Sequence, residues 1–440
     1  MAIGIYYYLP PGDVDDLTPQ LGGGVFLGLF TAYGLARLAG GIVDSLADPL
    51  VGHHCDRSRS PLGRRRSFMI YGIVPMIAFA GLLFWPPGVP GSGSNFVFLT
   101  VVLSLYFVFF TVYVGPYLAL LPEIARSEAD RVGLSRLFAI VGLPVLVLLG
   151  PAWQLFVGWA RDAGVGSEPA LRIAVLALCG AAFVLCLAPI LSVDERRLPN
   201  AAPDDLSLGR AIALTVRNRP FVLYLFAQIF FILGVTMAQP LLPYLAEVVL
   251  GRGLEFASFL GLLNIPLGIV GFVFAQRIIG GLGPKRTIVA SVATLGVLLC
   301  VLGLLDPDVP GGPRDASNLF IVCGVLLGMG PALAVFLIVP HVIIGQLIDR
   351  DEAQTGANRS AMYFGAQGLF TKWAYAASAT VMSFLFVQYG NSRSDPEGVL
   401  LVGPVAGALC LVAAGLYALY PERQVIREGA VVHQPGATGR

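Results

Sequence analysis

Charge is what this chain lacks. Only 12% of its 440 residues are Asp, Glu, Lys or Arg, about half the 25% of an average soluble domain. That is too little to cover a water-facing surface, and it excludes a soluble enzyme, a disordered protein and a nucleic-acid binder. Neither sign dominates, with 28 Lys+Arg against 27 Asp+Glu, so net charge selects no partner. Cysteine is scarce as well. Five of the six (Cys179, Cys186, Cys300, Cys323 and Cys410) lie in apolar runs at spacings that fit no metal motif. HExxH, GxSxG and P-loop signatures are missing, which argues against a membrane protease or an ATP-driven pump, and against any enzyme. No basic region precedes the first apolar run, so no cleavable signal peptide is expected.

What is present is hydrophobic sequence, 56% of the chain. A membrane-crossing helix needs roughly 20 mostly apolar residues. Complete candidates run over residues 24–52, 67–86, 96–122, 135–158, 169–193, 220–246, 255–279, 286–306, 317–346, 361–388 and 399–420. The opening MAIGIYYYLPP is about half the required length and reads as the second half of a further helix. The expectation is therefore an all-α polytopic membrane protein of twelve helices, the first truncated here, with the missing piece upstream of Met1. Basic residues are unevenly shared between the loops. The loops around 53–66, 123–136, 194–219, 277–286 and 347–360, with the tail after 420, hold 21; the alternate loops hold five, Arg161, Arg172, Arg252, Arg314 and Arg393. The positive-inside rule makes the first set cytoplasmic and the C-terminus with it, in a multi-pass protein of the cell (inner) membrane.

The stretch 194–219 divides the chain into membrane halves 1–193 and 220–420, followed by a cytoplasmic tail, 421–440. Within it, DDLSLGRAIALTVRNRP reads as an amphipathic helix on the membrane surface, with Ser207 as a cap. An internal repeat supports the division. Gly63-Arg64-Arg65-Arg66 and Gly283-Pro284-Lys285-Arg286 occupy matching loops 220 residues apart. Two parallel six-helix halves are the architecture of major facilitator transporters.

Ionisable residues inside spans cost about 2.5–3.5 kcal/mol each on insertion scales, so each is a functional candidate. Asp44 and Asp48 are four residues apart, on one helical face. Two stacked carboxylates repel, and a bound cation or a shared proton relieves the repulsion. The competing reading is that Asp48-Pro49 only ends the span. Lys372 lies deep in the eleventh span, too far from either end to snorkel easily, and calls for a carboxylate partner such as Asp44 or Asp48. Arg37 is two turns before Asp44. It can pair with the aspartates, face an anionic solute group or make a structural ion pair.

Three stretches carry a resemblance. DSLADPLVGHHCDRSRSPLGRRRSFMIYG and QLIDRDEAQTGANRSAMYFGAQGLFTKW, with TVYVGPYLALLPEIA more weakly, resemble the glycoside–pentoside–hexuronide:cation symporters of the major facilitator superfamily. The resemblance implies symport of a sugar or glycoside coupled to Na⁺ or H⁺, with no other cofactor. It implies a cation site on Asp44, Asp48 and Thr111, coordinating Na⁺ if sodium is the coupling ion. It implies roles for Lys372 and Gln367, and a cytoplasmic gate that uses Asp349 and Arg359 with the basic loop containing Arg57 and Arg64. The sugar half of the site departs from the family. In its melibiose-transporting member, aspartates of the first and fourth helices hold the sugar hydroxyls. Here the fourth-helix position is Val114, the aromatic four residues later is Leu118, and the gate glutamate after the arginine is Ala361. Tyr113, Tyr117 and Trp373 are candidates to stack on a solute.

The resulting expectation is an alternating-access symporter, acting as a monomer among membrane lipids on a small sugar-like solute, without nucleic-acid partners. Two rivals stand beside it. One is a carrier of an amphipathic solute or lysolipid, since the sugar acids are missing. The other is a non-transporting membrane sensor or scaffold.

Overall fold

The computed structural model describes residues 2–12, 17–26, 30–58, 60–124, 152–193, 195, 218–306, 315–355 and 360–429. Its elements are helical apart from one two-residue antiparallel pair, β1 (Val25–Phe26) and β2 (Phe30–Thr31). The first helices are α1 (Ala2–Tyr8), α2 (Ala32–Asp56), α3 (Arg64–Leu82), α4 (Gly93–Ile124), α5 (Ala152–Asp162) and α6 (Ser167–Ser192). After the central stretch come α7 (Arg219–Tyr244), a π-helical turn (Leu245–Val249), α8 (Leu254–Leu262), α9 (Asn264–Leu282) and α10 (Pro284–Val301). The chain continues through α11 (Asp315–Thr355), α12 (Ser360–Tyr389), α13 (Glu397–Leu419) and the tail helix α14 (Glu422–Gly429).

Among the described residues, seven helical stretches are long and apolar enough to cross a membrane. Their apolar side chains face outward to a degree that water would not tolerate. In α6, for example, 17% of the most apolar window is buried, and Ile173, Leu176, Val184, Leu185 and Leu191 are exposed. Hydrocarbon is the solvent that suits such a surface, because each helix satisfies its own backbone groups.

One expected boundary is corrected. Among its described residues, the span expected over 24–52 is helical from Ala32. Residues 25–31 include the short strand pair, and Thr31, with extended backbone, accepts a hydrogen bond from Gly34 N at 3.0 Å and so caps α2. The glycines before it, Gly22–Gly24, give an apolar run no helical propensity. Most of the expected span 135–158, and the expected surface helix within 194–219, lie outside the described residues.

The loop repeat has a structural counterpart. α3 and α10 each start at a glycine with positive φ, Gly63 at 106° and Gly283 at 79°, a region open to glycine and strained for other residues. Each N-terminus then receives a carboxylate from the segment after the last span of its own sequence half. Glu195 accepts from Arg65 N (2.9 and 3.0 Å) and Arg66 N (3.0 Å). Glu422 accepts from Lys285 N (2.9 Å). The orphan N–H groups and the positive dipole end of each helix are satisfied together. A Cβ at Gly63 would also run into the Glu195 carboxylate.

Two compact units result. One contains Met1–Asp205, Pro240–Leu262 and Ala379–Val399; the other contains Leu206–Gln239, Leu263–Ser378 and Leu400–Arg440. Thus α7 and α12 begin in the second unit and end in the first. In the first unit, α3, α4 and α6 enclose Met69, Ile73, Met76, Tyr113, Leu120 and Ile190. In the second, α9 crosses α11 closely, since a Cβ at Gly271 would press on Pro331; small residues permit such approach where no hydrophobic effect drives helices together.

Candidate functional site

The polar centre of the first unit is built on α2 and α4. Asp44 is 5% exposed and Asp48, one turn on, is exposed. The Thr111 hydroxyl of α4 lies 2.9 Å from Asp44 Oδ1 and 3.1 Å from Asp48 Oδ1. A hydroxyl has one proton to give. With both carboxylates ionised, Thr111 cannot serve both fully, and two like charges remain close together. Carboxylates close enough to share one hydroxyl repel when both are ionised, less to the extent that water reaches Asp48. A proton on one carboxyl, or a cation among the three oxygens, relieves the repulsion. The donor set is all oxygen, which suits a hard cation rather than a soft metal. Among the described residues no group of three or more His, Cys, Asp or Glu side chains stands ready to hold a metal.

The small residue Gly40 lets α2 approach α4. A Cβ on Gly40 would meet the Phe107 ring at 3.1 Å. That ring also receives the Arg37 guanidinium, 5.5 Å from its centroid, a cation–π contact. The expected pairing of Arg37 with Asp44 or Asp48 is not formed: Arg37 makes no ion pair among the described residues, and its buried Nε has no hydrogen-bond partner there. The reason is reach. Seven residues place Arg37 two turns from Asp44, and its side chain turns onto the Phe107 face of α4 instead.

The aromatic candidates divide. Tyr113 is 4% exposed and donates its hydroxyl to the Cys186 carbonyl at 2.7 Å. Its role is to tie α4 to α6. Tyr117 is half-buried and stacks on Tyr113 with centroids 6.3 Å apart. Val114 packs against the same core, and Leu118 is exposed, so the positions that would carry sugar-binding groups present hydrocarbon. In the second unit, α12 carries Gln367, Lys372 and Trp373. Gln367 Nε2 donates to the hydroxyl of the buried Tyr224 at 3.2 Å. Lys372 is half-buried, and the exposed Trp373 packs edge-on against Phe370. Of the gate candidates, Arg57 is exposed at the end of α2, Arg64 opens α3, and Asp349 is exposed near the end of α11. Arg359 lies outside the described residues.

Sequence reasoning missed two groups. Glu195 counted only as part of a polar loop, though it caps α3. Glu247, an acid within the apolar run LLPYLAEVVL, was the signal of a second buried polar cluster. Glu247 is 1% exposed, and it binds Tyr6 and Arg161.

The described residues thus combine helices apolar enough to cross a membrane with a small oxygen cluster on α2 and α4. Residues 28–421 match the family of MFS/sugar transport proteins, and the chain belongs to that family. An uncharacterized symporter, YnaJ of Bacillus subtilis (strain 168), is 25% identical over 87% of this chain and 83% of its own length. The isoprimeverose transporter of Lactiplantibacillus pentosus is 20% identical over 78% of this chain and 67% of its own. The nucleoside transporter NupG superposes with a TM-score of 0.61 over 94% of this chain and 92% of that one, at 11% identity, a likeness of fold alone. The expected all-α major facilitator fold is the fold found. The resemblance to glycoside–pentoside–hexuronide symporters holds, and these relatives are transporters rather than enzymes.

Proposed function

We propose that this carrier couples the uptake of a sugar or glycoside-like solute to a cation, Na⁺ or H⁺, bound at Asp44, Asp48 and Thr111. The observation that supports this reading most is the single hydroxyl shared by two carboxylates inside an apolar helix pair. A cation or proton taken up at the two carboxylates lowers the repulsion between them. The relieved pair lets α2 and α4 pack as the solute cavity requires, so ion and solute favour each other's binding. Lys372 and Arg37 are the basic residues of this reading, assigned to charge balance and coupling. The membrane in this reading is the cell (inner) membrane, and the loop charges favour a C-terminus on its cytoplasmic side.

The test needs no solute. The melting temperature of the purified protein is measured against Na⁺, Li⁺ and K⁺ at pH 6 and pH 8, in wild type and Asp48→Asn. A ligand that binds only the folded state raises it by mass action. A saturable Na⁺ shift at pH 8, lost in Asp48→Asn, supports a sodium site. Ion-coupled uptake left unchanged by Asp48→Asn would refute the mechanism. A carrier of an amphipathic solute or lysolipid is the second reading, favoured by the hydrocarbon of Val114 and Leu118. Accumulation of a short polar glycoside against its gradient would reject it.

A further inference from the structure

We propose that Glu247, Arg161 and Tyr6 form an outer gate, a charged lock centred on the buried Glu247, that closes the non-cytoplasmic end of the carrier and must break for that end to open. This rests on the transport reading above and names residues that the ion site does not include.

The three side chains close a ring. Tyr6 donates its hydroxyl to Glu247 Oε2 at 2.6 Å. Arg161 Nη1 pairs with Glu247 Oε1 at 2.8 Å, and Arg161 Nη2 donates to the Tyr6 hydroxyl at 3.0 Å. The backbone of Glu247 is held as well, since its carbonyl accepts from Arg393 Nε at 2.9 Å. One residue of the second sequence half therefore binds α1, α5 and the loop before α13 at once. Around the ring the same two halves are stitched repeatedly. The Tyr244 hydroxyl donates to Leu9 O at 2.6 Å, Asn391 Nδ2 to Pro10 O at 2.9 Å, and Ser258 Oγ to Gln154 Oε1 at 3.3 Å. Further along, Thr31 and Ser383 share a hydrogen bond of 2.6 Å, and Thr380 donates to Gly34 O at 3.2 Å. The positive-inside reading puts the loops bearing Arg161, Glu247 and Arg393 outside.

The Glu247 side chain is 1% exposed and that of Arg161 22%, and burying the carboxylate is a poor way to gain stability, because its desolvation offsets much of the attraction. It is a good way to build a reversible seal. When the outer end opens, water enters and rehydrates the Glu247 carboxylate, so much of what the contact was worth is returned. An apolar plug would instead expose hydrocarbon, at about 25 cal/mol per Å². The backbone beside the lock is built to bend. Pro240 and Pro243 break the ladder of α7, Leu245–Val249 is a π turn, and Gly251 follows with φ of 60°. Such interruptions mark hinges and functional sites. The passage of α7 from one compact unit to the other falls at Pro240.

The test is amide hydrogen exchange of the full chain in lipid nanodiscs, without solute, in wild type and Glu247→Gln. Opening of the outer end should speed exchange in residues 2–11, 152–162 and 244–258 roughly tenfold, the shift that an ordinary coupling energy produces. At the same time residues 53–66 and 345–355, at the other end, should become slower. The charge swap Arg161→Glu with Glu247→Arg should restore the wild-type pattern. Gly34→Val is the second variant, since a Cβ there meets Thr380 Cγ2 at 2.8 Å and wedges the same seal; it should reproduce the pattern even if Glu247→Gln fails to fold. Faster exchange at the outer end alone would mean local loosening and overturn the gate, as would no change. If the paired response appears in a protein that carries no solute, the gate stands and the transport reading falls. If uptake is found and the paired response is absent, the reverse holds.

Discussion

Thr111→Val is the sharpest perturbation of the candidate ion site. Valine matches threonine in shape, so packing between α2 and α4 changes little, and what is lost is one hydroxyl. That hydroxyl is 2.9 and 3.1 Å from the two aspartate oxygens. A hydrogen bond to a charged group is worth about 1.5–3 kcal/mol. A cation among the three oxygens loses a ligand of similar worth. At about 1.4 kcal/mol per decade, the half-saturating Na⁺ concentration should rise roughly ten- to a hundredfold. The assay is a Na⁺ titration of the melting temperature at pH 8, with choline holding ionic strength constant so that screening does not imitate binding. Asp44→Asn, which removes a charge as well as a ligand, should abolish the Na⁺ response altogether. A half-saturating concentration within about twofold of wild type in Thr111→Val, well below the energy of one charged hydrogen bond, would refute the shared-hydroxyl geometry as the ion site. A wild type with no Na⁺ response would remove sodium and leave the proton.

The other predictions concern the parts that hold the site. Glu195→Ala deprives two backbone N–H groups at the start of α3 of their acceptor and should cost about 2 kcal/mol, read as a lower melting temperature. Glu195→Gln, with the shape but not the charge, should lie between. Glu422→Ala removes a single acceptor from α10 and should cost about half as much; an equal or larger loss would contradict the capping account. Tyr113→Phe removes a hydrogen bond to a carbonyl of α6 and should lower stability by about 1 kcal/mol while leaving solute affinity unchanged in an uptake competition assay. A tenfold affinity loss would mean that the hydroxyl binds solute after all.

Sequence by itself determined the solvent, the helices and half of the site. Scarce charge and apolar runs specify lipid-facing helices because hydrocarbon accepts no unpaired polar group, and that constraint acts locally, residue by residue. The proximity of Asp44 and Asp48 follows from helical periodicity, which is also local. The repeat at Gly63 and Gly283 was legible as a pattern, but not its purpose: that Glu195 and Glu422 return to cap those helices depends on where the sixth and last spans of each sequence half end in space. Thr111 was assigned from resemblance to relatives; only packing of α4 on α2 brings its hydroxyl to both aspartates. For Arg37 the spacing left an aspartate partner, an anionic solute group and a structural ion pair open, and packing places its guanidinium over the Phe107 ring. Glu247 in its apolar run signals a buried polar cluster, but its partners Tyr6 and Arg161 come from distant segments that carry no local signal of it. Contacts whose energy depends on simultaneous burial and pairing are decided by tertiary structure, and the division into compact units at Pro240 and Ala379 is such a decision.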